Sequence, residues 1–212
     1  MTLVAFDFDG TLSDSEMTVL LGERQGVADE MADITERAMN DEISYAKSLR
    51  DRAALLEGLS NERAEDAFDD VFLRPDAATV IRELNEAGVT TAILTGGFER
   101  GVEVALEREG VSVDTIVANR LPVEEGELTG EVEGPLIEGT KDDALERLAG
   151  EREIDMRDTI AVGDGANDLP MLEVAGLSVG FIPKSAVRPS CDIVVATMER
   201  LRDVFDEEGL LD

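Results

Sequence analysis

Apolar and polar positions change period along this chain, and the changes divide it. Leu3, Val4, Ala5 and Phe6 form a continuous apolar run, which predicts a strand buried on both faces. From 14 to 74 no strand-like run occurs. Apolar residues recur there at helical spacing, as in Met31, Ile34, Thr35, Ala38 and again Ala46, Leu49, Ala53, Leu56. This predicts a bundle of about four helices inserted after the first strand. Pro75 marks the far boundary, with Asp76 expected to cap the next helix and Gly88 to stop it.

Beyond Gly88 strands and helices alternate. Strands are expected at Thr90–Leu94, Thr115–Ala118, Thr159–Val162, Leu177–Phe181 and Ile193–Val195, with helices at Glu99–Glu109, Lys141–Ala149 and Asp168–Ala175. Such alternation reads as an α/β fold, a doubly wound parallel sheet wrapped by helices. The expected core is 1–13 together with 75–212, and 14–74 is the helical cap. Within Leu121–Val132 the polar turn Glu124–Glu127 separates two short alternating segments, which predicts a small β-hairpin. Ligands of open α/β sheets sit outside the carboxyl ends of the strands, so the loops after Phe6, Leu94 and Val162 matter most.

Composition narrows the chemistry. The 212 residues suffice for one α/β domain with an insertion, and the single Cys191 excludes an intramolecular disulfide. A reducing cytoplasm is therefore the expected compartment, with Cys191 a small core residue. The N-terminus has no basic flank, cleavage site or spanning apolar run, so neither secretion nor membrane insertion is expected. The 49 acidic and 19 basic residues give a formal charge of −30, which argues against nucleic acid or anionic membrane as partner. It is a solvation signature, suited to a salt-rich cytoplasm where the Debye length falls to about 3 Å at 1 M. A monomer or homodimer acting on a small molecule is expected. There is no His, which removes Ser-His-Asp triads, His-ligated zinc and imidazole bases. Acid and base chemistry must come from carboxylates, Lys, Tyr45 or Cys191, and a metal site built of oxygens favours Mg²⁺.

Four segments carry candidate chemistry. Asp7 and Asp9 stand two residues apart at the end of the first strand, suiting a nucleophile beside a proton-transfer carboxylate. Thr95, Gly96 and Gly97 offer a hydroxyl and backbone N–H groups at a strand-to-helix junction, a ready anion site. Lys141, one of only Lys47, Lys141 and Lys184, opens a helix among acids and suits a phosphate clamp. The loop Gly163, Asp164, Gly165, Ala166, Asn167, Asp168 sets two carboxylates and an amide among glycines, suiting a hard octahedral cation. Each read alone has a plainer alternative: a solvated acidic turn, an ordinary capped turn, a solvated lysine, a helix cap.

Together, and in this order, DFDGT at 7–11, TGG at 95–97, Lys141 and GDGAND at 163–168 resemble the motifs of the haloacid dehalogenase-like phosphohydrolases. SLRDR at 48–52, ANRL at 118–121, ELTGEVEG at 127–134 and AVGDGANDLPM at 161–171 extend the resemblance to phosphoserine phosphatases over essentially the whole chain. The resemblance implies a four-helix-bundle, C1-type cap on the doubly wound core. It also implies that Asp7 forms an aspartyl-phosphate and that Asp9 protonates the leaving serine hydroxyl and then deprotonates water. Mg²⁺ would be held by Asp7, the Asp9 carbonyl and Asp164, with Asp168 in support. Thr95, Gly96, Lys141 and Asn167 would cradle the phosphoryl oxygens. In the cap, Glu16 would bind the substrate ammonium, Arg52 its carboxylate, and Met39 and Tyr45 would line the pocket. The plainer readings are a first-turn acid for Glu16, a surface ion pair for Arg52 and bundle core for Met39 and Tyr45. Gly10 and Thr95 stand where that family commonly has Ser. Alternative activities are hydrolysis of another small ester such as phosphoglycolate, or phosphotransfer to a hydroxyl acceptor.

Overall fold

The computed structural model describes residues 1–39, 42–138 and 140–211, and the side chain of Met39 lies outside the described residues. β1 (Leu3–Phe6) is followed by α1 (Met17–Gln25), α2 (Ala28–Met39), α3 (Tyr45–Ala54) and α4 (Asn61–Phe68). Then come α5 (Ala77–Glu86), β2 (Thr90–Phe98), α6 (Glu99–Glu109), β3 (Thr115–Asn119) and the hairpin strands β4 (Val123–Glu124) and β5 (Glu127–Leu128). The chain ends with α7 (Lys141–Glu151), β6 (Thr159–Gly163), α8 (Leu169–Val174), β7 (Leu177–Phe181), β8 (Ile193–Val195) and α9 (Met198–Glu207).

Six strands form one sheet in the order β3-β2-β1-β6-β7-β8, with every neighbouring pair parallel. In central β1, Phe6 pairs with Ile93 on one side and Val162 on the other. The chain builds outward to one side of β1 and then to the other, so the strand order reverses between β1 and β6. That reversal opens a crevice at the carboxyl ends of these two strands. Alternate residues face opposite ways, so Val4 and Phe6 join one apolar cluster with Ile93 and Val162 while Leu3 and Ala5 join another with Leu94 and Leu145. Phe6 meets Phe205 of α9 edge-on, with ring centroids 6.1 Å apart. Such a pair contributes about 0.5–1.5 kcal/mol beyond its buried area. α9 is missing from the sequence expectation, although Met198, Leu201, Val204 and Phe205 carry helical spacing and are all buried.

Two local expectations are corrected. β2 does not stop at Leu94; it continues through the glycines to Phe98, with its register broken between Leu94 and Phe98 because Phe98 regains a partner in Asn119. Thr95–Gly97 therefore lie in a bulged strand rather than at a helix start, and Phe98 occupies the N-cap of α6. Asp76 sits at the N-cap of α5 but makes no side-chain cap bond, because its backbone is left-handed (φ 67°) rather than extended.

The helices α1–α4 form the cap region, entered and left through adjacent chain segments. Ser13 bridges Leu73, and Arg74 N–H donates to the Leu12 carbonyl at 2.8 Å. The Arg74 guanidinium donates to the Thr11 and Gly10 carbonyls at 3.0 and 3.1 Å and lies 5.3 Å from the Phe181 ring centroid. This ties the crossing to the loop after β1. On another side the hairpin braces the cap: Gly58 N–H donates to Leu128 O, Leu128 N–H to Leu59 O and Asn61 N–H to Gly126 O, at 3.0, 2.8 and 2.8 Å.

Cys191 packs beside the apolar cluster of Leu3 and Ala5, where burial and then Asp192 push its thiol up. No helix among the described residues is long and apolar enough to cross a membrane. Surface ion pairs such as Lys47–Asp51 and Arg200–Glu207 are exposed, and pairs of that kind are worth at most about 1 kcal/mol each. They cannot offset self-repulsion from a net charge of −30. The melting temperature is therefore expected to climb as KCl rises from about 0.1 to 2 M, the range over which the Debye length shrinks below contact distance. A flat profile by differential scanning calorimetry would show that self-repulsion does not limit this fold.

Candidate active site

The crevice between β1 and β6 gathers charged side chains from four loops. Asp7 follows β1 directly; its N–H donates to the Val162 carbonyl at 2.8 Å, so the sheet holds it in place. Lys141, the first residue of α7, reaches between two carboxylates with Nζ 2.5 Å from Asp7 Oδ1 and 2.5 Å from Asp168 Oδ1. Asp7 and Lys141 are each 3% exposed and Asp168 is fully buried. Asp168 Oδ2 accepts the N–H groups of Asp164 and Gly165, both at 2.9 Å. The glycine loop is thus folded around the Asp168 carboxylate, which in turn grips Lys141.

Asp7, Asp164 and Asp168 each offer an oxygen, all within 4.8 Å of one another. This approach requires Gly10: its φ is +87°, and a Cβ there would lie 2.6 Å from Asp164 Oδ1. Three carboxylates outnumber the one ammonium between them. Burial pushes the Asp7 carboxyl up to about 8, with Asp168 and Asp164 adding to the rise and Lys141 opposing it. Burial alone would lower Lys141, but Asp168 and Asp7 outweigh it and hold the ammonium charged well into the alkaline range. Asp164 is also raised, by burial, against the pull of Lys184 Nζ 3.3 Å from its Oδ2. An all-oxygen donor set with surplus negative charge fits a hard divalent cation.

Asp9 occupies a different environment. Its Oδ1 is buried with no hydrogen-bond partner among the described residues, and a Cβ on Gly97 would lie 2.7 Å from its Oδ2. Burial first, then Glu16 and Asp7, hold this carboxyl well above the usual range despite the Met17 N–H it accepts. Its surroundings thus favour the protonated form of Asp9, next to a carboxylate that a cation would ionise.

Thr95 is 1% exposed, and its Oγ1 accepts the Gly97 N–H at 3.0 Å. Asn167 is exposed on the short 3₁₀ turn Ala166–Asp168. From the cap, Tyr45 at the start of α3 brings its hydroxyl over Gly96 so closely that a Cβ there would overlap it. Glu16 stands at the N-cap of α1 yet makes no side-chain cap bond. Its carboxyl is raised by loss of solvent, with Lys184 and Arg52 pulling it down. The Arg52 guanidinium donates to Thr18 Oγ1 at 3.1 Å and the Ser48 carbonyl at 3.4 Å and makes no ion pair among the described residues. Tyr45 is 39% exposed and not bundle core. Met39 closes α2, but its side chain lies outside the described residues.

A family model described as haloacid dehalogenase-like hydrolase matches residues 4–173. A phosphoserine phosphatase of Halobacterium salinarum is 50% identical over 210 residues, covering 99% of this chain and all of that one. One from Methanocaldococcus jannaschii is 37% identical over 204 residues, covering 96% and 95%. The chain belongs to the phosphoserine phosphatase family of the haloacid dehalogenase-like hydrolases. Among solved structures, a phospho-aspartyl intermediate analogue of phosphoserine phosphatase aligns with TM-score 0.88 at 37% identity, covering 97% of this chain and 98% of that one. A substrate-bound phosphoserine phosphatase complex aligns equally well, with TM-score 0.88 at 36% identity and 97% coverage of each.

Sequence reasoning left three nearby side chains without a role. Lys184 touches Asp164, Arg74 pins the loop after β1, and the Asn119 amide donates to the Gly96 carbonyl. Scarcity could have signalled Lys184, and position at the carboxyl end of a strand next to β2 could have signalled Asn119.

The raised Asp7 carboxyl sets a pH dependence for the metal-free protein. A group whose folded pKa lies above its unfolded value of 3.8 binds more protons when folded, so its contribution to stability is lost as pH rises towards about 8. Lys141 stays charged throughout that window. In EDTA and molar KCl, denaturant midpoints should fall between about pH 5 and 8, and Asp7→Asn should flatten that fall. An equal slope in the variant would show that Asp7 ionisation is not held back.

Proposed function

We propose that this chain hydrolyses O-phosphoserine to serine and phosphate, the last step of serine synthesis, through an aspartyl-phosphate on Asp7. One observation carries the choice of substrate: Glu16, which makes no side-chain cap bond, and Arg52, which makes no ion pair among the described residues, lie within electrostatic reach of each other, and Glu16 also of Asp9. A zwitterion bearing an ammonium and a carboxylate complements both, and a guanidinium fork suits the carboxylate. Phosphoglycolate would leave Glu16 unmatched.

Asp7 Oδ attacks phosphorus as the P–O bond to the serine oxygen breaks, and the Asp9 proton passes to that oxygen. The Asp9 carboxylate then takes a proton from water as the water oxygen attacks phosphorus. The P–O bond to Asp7 breaks, and both aspartates return to their starting states. Lys141 Nζ, the Thr95 hydroxyl, the Gly96 N–H and the Asn167 amide receive the phosphoryl oxygens and the charge that spreads over them. Mg²⁺ held by Asp7, the Asp9 carbonyl and Asp164 would supply the charge that keeps Asp7 ionised and offsets its repulsion of phosphate. Asp168 serves differently in this reading. Both its oxygens are already engaged, so it holds Lys141 and the glycine loop rather than acting mainly as a ligand.

Residues 14–74 act as the cap, on a core of 1–13 and 75–212. The paired crossing at Ser13 and Leu73 supports a hinge there, and Tyr45 and Met39 would close over the substrate.

With Mg²⁺ in molar KCl, phosphoserine should be preferred over its deaminated analogue and phosphoglycolate, and Asp7→Asn should abolish turnover of all three. Arg52→Ala should raise KM for phosphoserine roughly 10–100-fold, the loss expected of a charged hydrogen-bonded contact. Good turnover of phosphoglycolate with phosphoserine neglected would keep the Asp7 chemistry and reject the proposed use of Glu16 and Arg52.

A further inference from the structure

Asn119 is the last residue of β3, fully buried, and both halves of its amide are engaged. Its Nδ2 donates to the Gly96 carbonyl at 3.0 Å, and its Oδ1 accepts the Leu136 N–H at 3.1 Å. The backbone of Gly134 comes so close that a Cβ there would overlap Asn119 Oδ1, and at φ +147° only glycine sits easily. The side chain is held in one orientation.

What that orientation controls is a peptide the sheet does not hold. Ladder pairing between β2 and β3 breaks after Leu94 and resumes only at Phe98, opposite Asn119. The Gly96–Gly97 peptide falls in the gap, and with glycine on both sides it is free to rotate unless pinned. It is pinned at both ends. A trans peptide points its C=O and N–H in opposite directions. Asn119 takes the Gly96 carbonyl, and Thr95 Oγ1 takes the Gly97 N–H at 3.0 Å. A hydroxyl that accepts from Gly97 keeps its own proton to donate elsewhere.

We propose that Asn119 is a positioning residue for phosphate binding: by fixing the Gly96–Gly97 peptide, it commits the Thr95 lone pair to Gly97 and turns the Thr95 proton and the Gly96 N–H towards the phosphoryl group. This rests on the phosphate role proposed above for Thr95 and Gly96. Asn119 touches no reacting atom and acts through the turn.

The two halves of the amide can be separated. Asn119→Asp keeps the oxygen that Leu136 needs but replaces the donor to Gly96 with a second oxygen, and Asn119→Ala removes both. Thr95→Val removes the hydroxyl at nearly constant shape. For the Mg²⁺-loaded enzyme, kcat and KM for phosphoserine are measured with inhibition by inorganic phosphate and by serine, and melting temperature is followed in parallel. Asn119→Asp should lower kcat/KM roughly 10–100-fold, the cost of misplaced donors, and weaken phosphate inhibition in step. Serine inhibition, which reads the Glu16 and Arg52 end, should move less than about twofold. In the Thr95→Val background the further loss from Asn119→Asp should also be under about twofold, because residues acting through one element are not additive. Fully additive losses, or a phosphate inhibition unmoved by Asn119→Asp while Thr95→Val weakens it, would overturn the role of Asn119 alone. Phosphate inhibition unmoved by Thr95→Val would overturn the phosphate turn and this proposal with it. Loss of the folded state in both Asn119 variants would make the residue structural and reject the proposal.

Discussion

The site depends on one buried ammonium. Lys141 Nζ bridges Asp7, which the central strand positions, and Asp168, around which the glycine loop after β6 is folded. Without it, the crevice would bring together buried carboxylates with only Lys184, at Asp164, to offset their repulsion; removing one partner of a buried pair costs about 3–5 kcal/mol. Its surroundings follow from the fold. Reversal of strand order between β1 and β6 makes the crevice, Gly10 lets the two loops close, and α7 delivers Lys141 at its first residue. Even so, the charges do not balance. The surplus negative charge of Asp7, Asp164 and Asp168 fits a hard cation.

Burial holds both aspartates, separated by one residue, above the usual carboxylate range, but their neighbours differ. Asp7 touches an ammonium and sits where a cation belongs, both of which favour its charged form. Asp9 has a buried oxygen without a partner and lies near Glu16 and Asp7, all of which favour the proton. Carboxylates whose environments push them apart divide the work of nucleophile and acid. The chain has no histidine and needs none for this division.

Much of this was legible in the sequence, for identifiable reasons. The apolar run Leu3–Phe6, the helical spacing from 14 to 74 and the later alternation are strong periodic signals, and the parallel sheet, helical cap region and hairpin follow from them. Asp7, Lys141, Asp164 and Asp168 could be expected to meet because each lies at the carboxyl end of a core strand or the start of a helix facing it. What could not be read depends on tertiary contacts. Thr95–Gly97 look like a helix start, yet Asn119, distant in sequence, carries the strand pairing past them. Asp76 has the right residue type for a cap but a left-handed backbone. The hydrogen bonds that tie Asp168 to Lys141 and to the N–H groups of Asp164 and Gly165 are likewise not visible in its motif.

The central claim is that Asp7 carries the phosphoryl group. The most direct measurement is to mix the Mg²⁺-loaded enzyme with phosphoserine labelled on phosphorus, quench in acid within milliseconds, reduce with borohydride and locate the modified residue by peptide mass spectrometry. The account predicts an acid-stable, base-labile label that reduction places on Asp7 and that is absent from Asp7→Asn. Label at another residue, or turnover at full rate with no phosphoenzyme at any quench time, would contradict it.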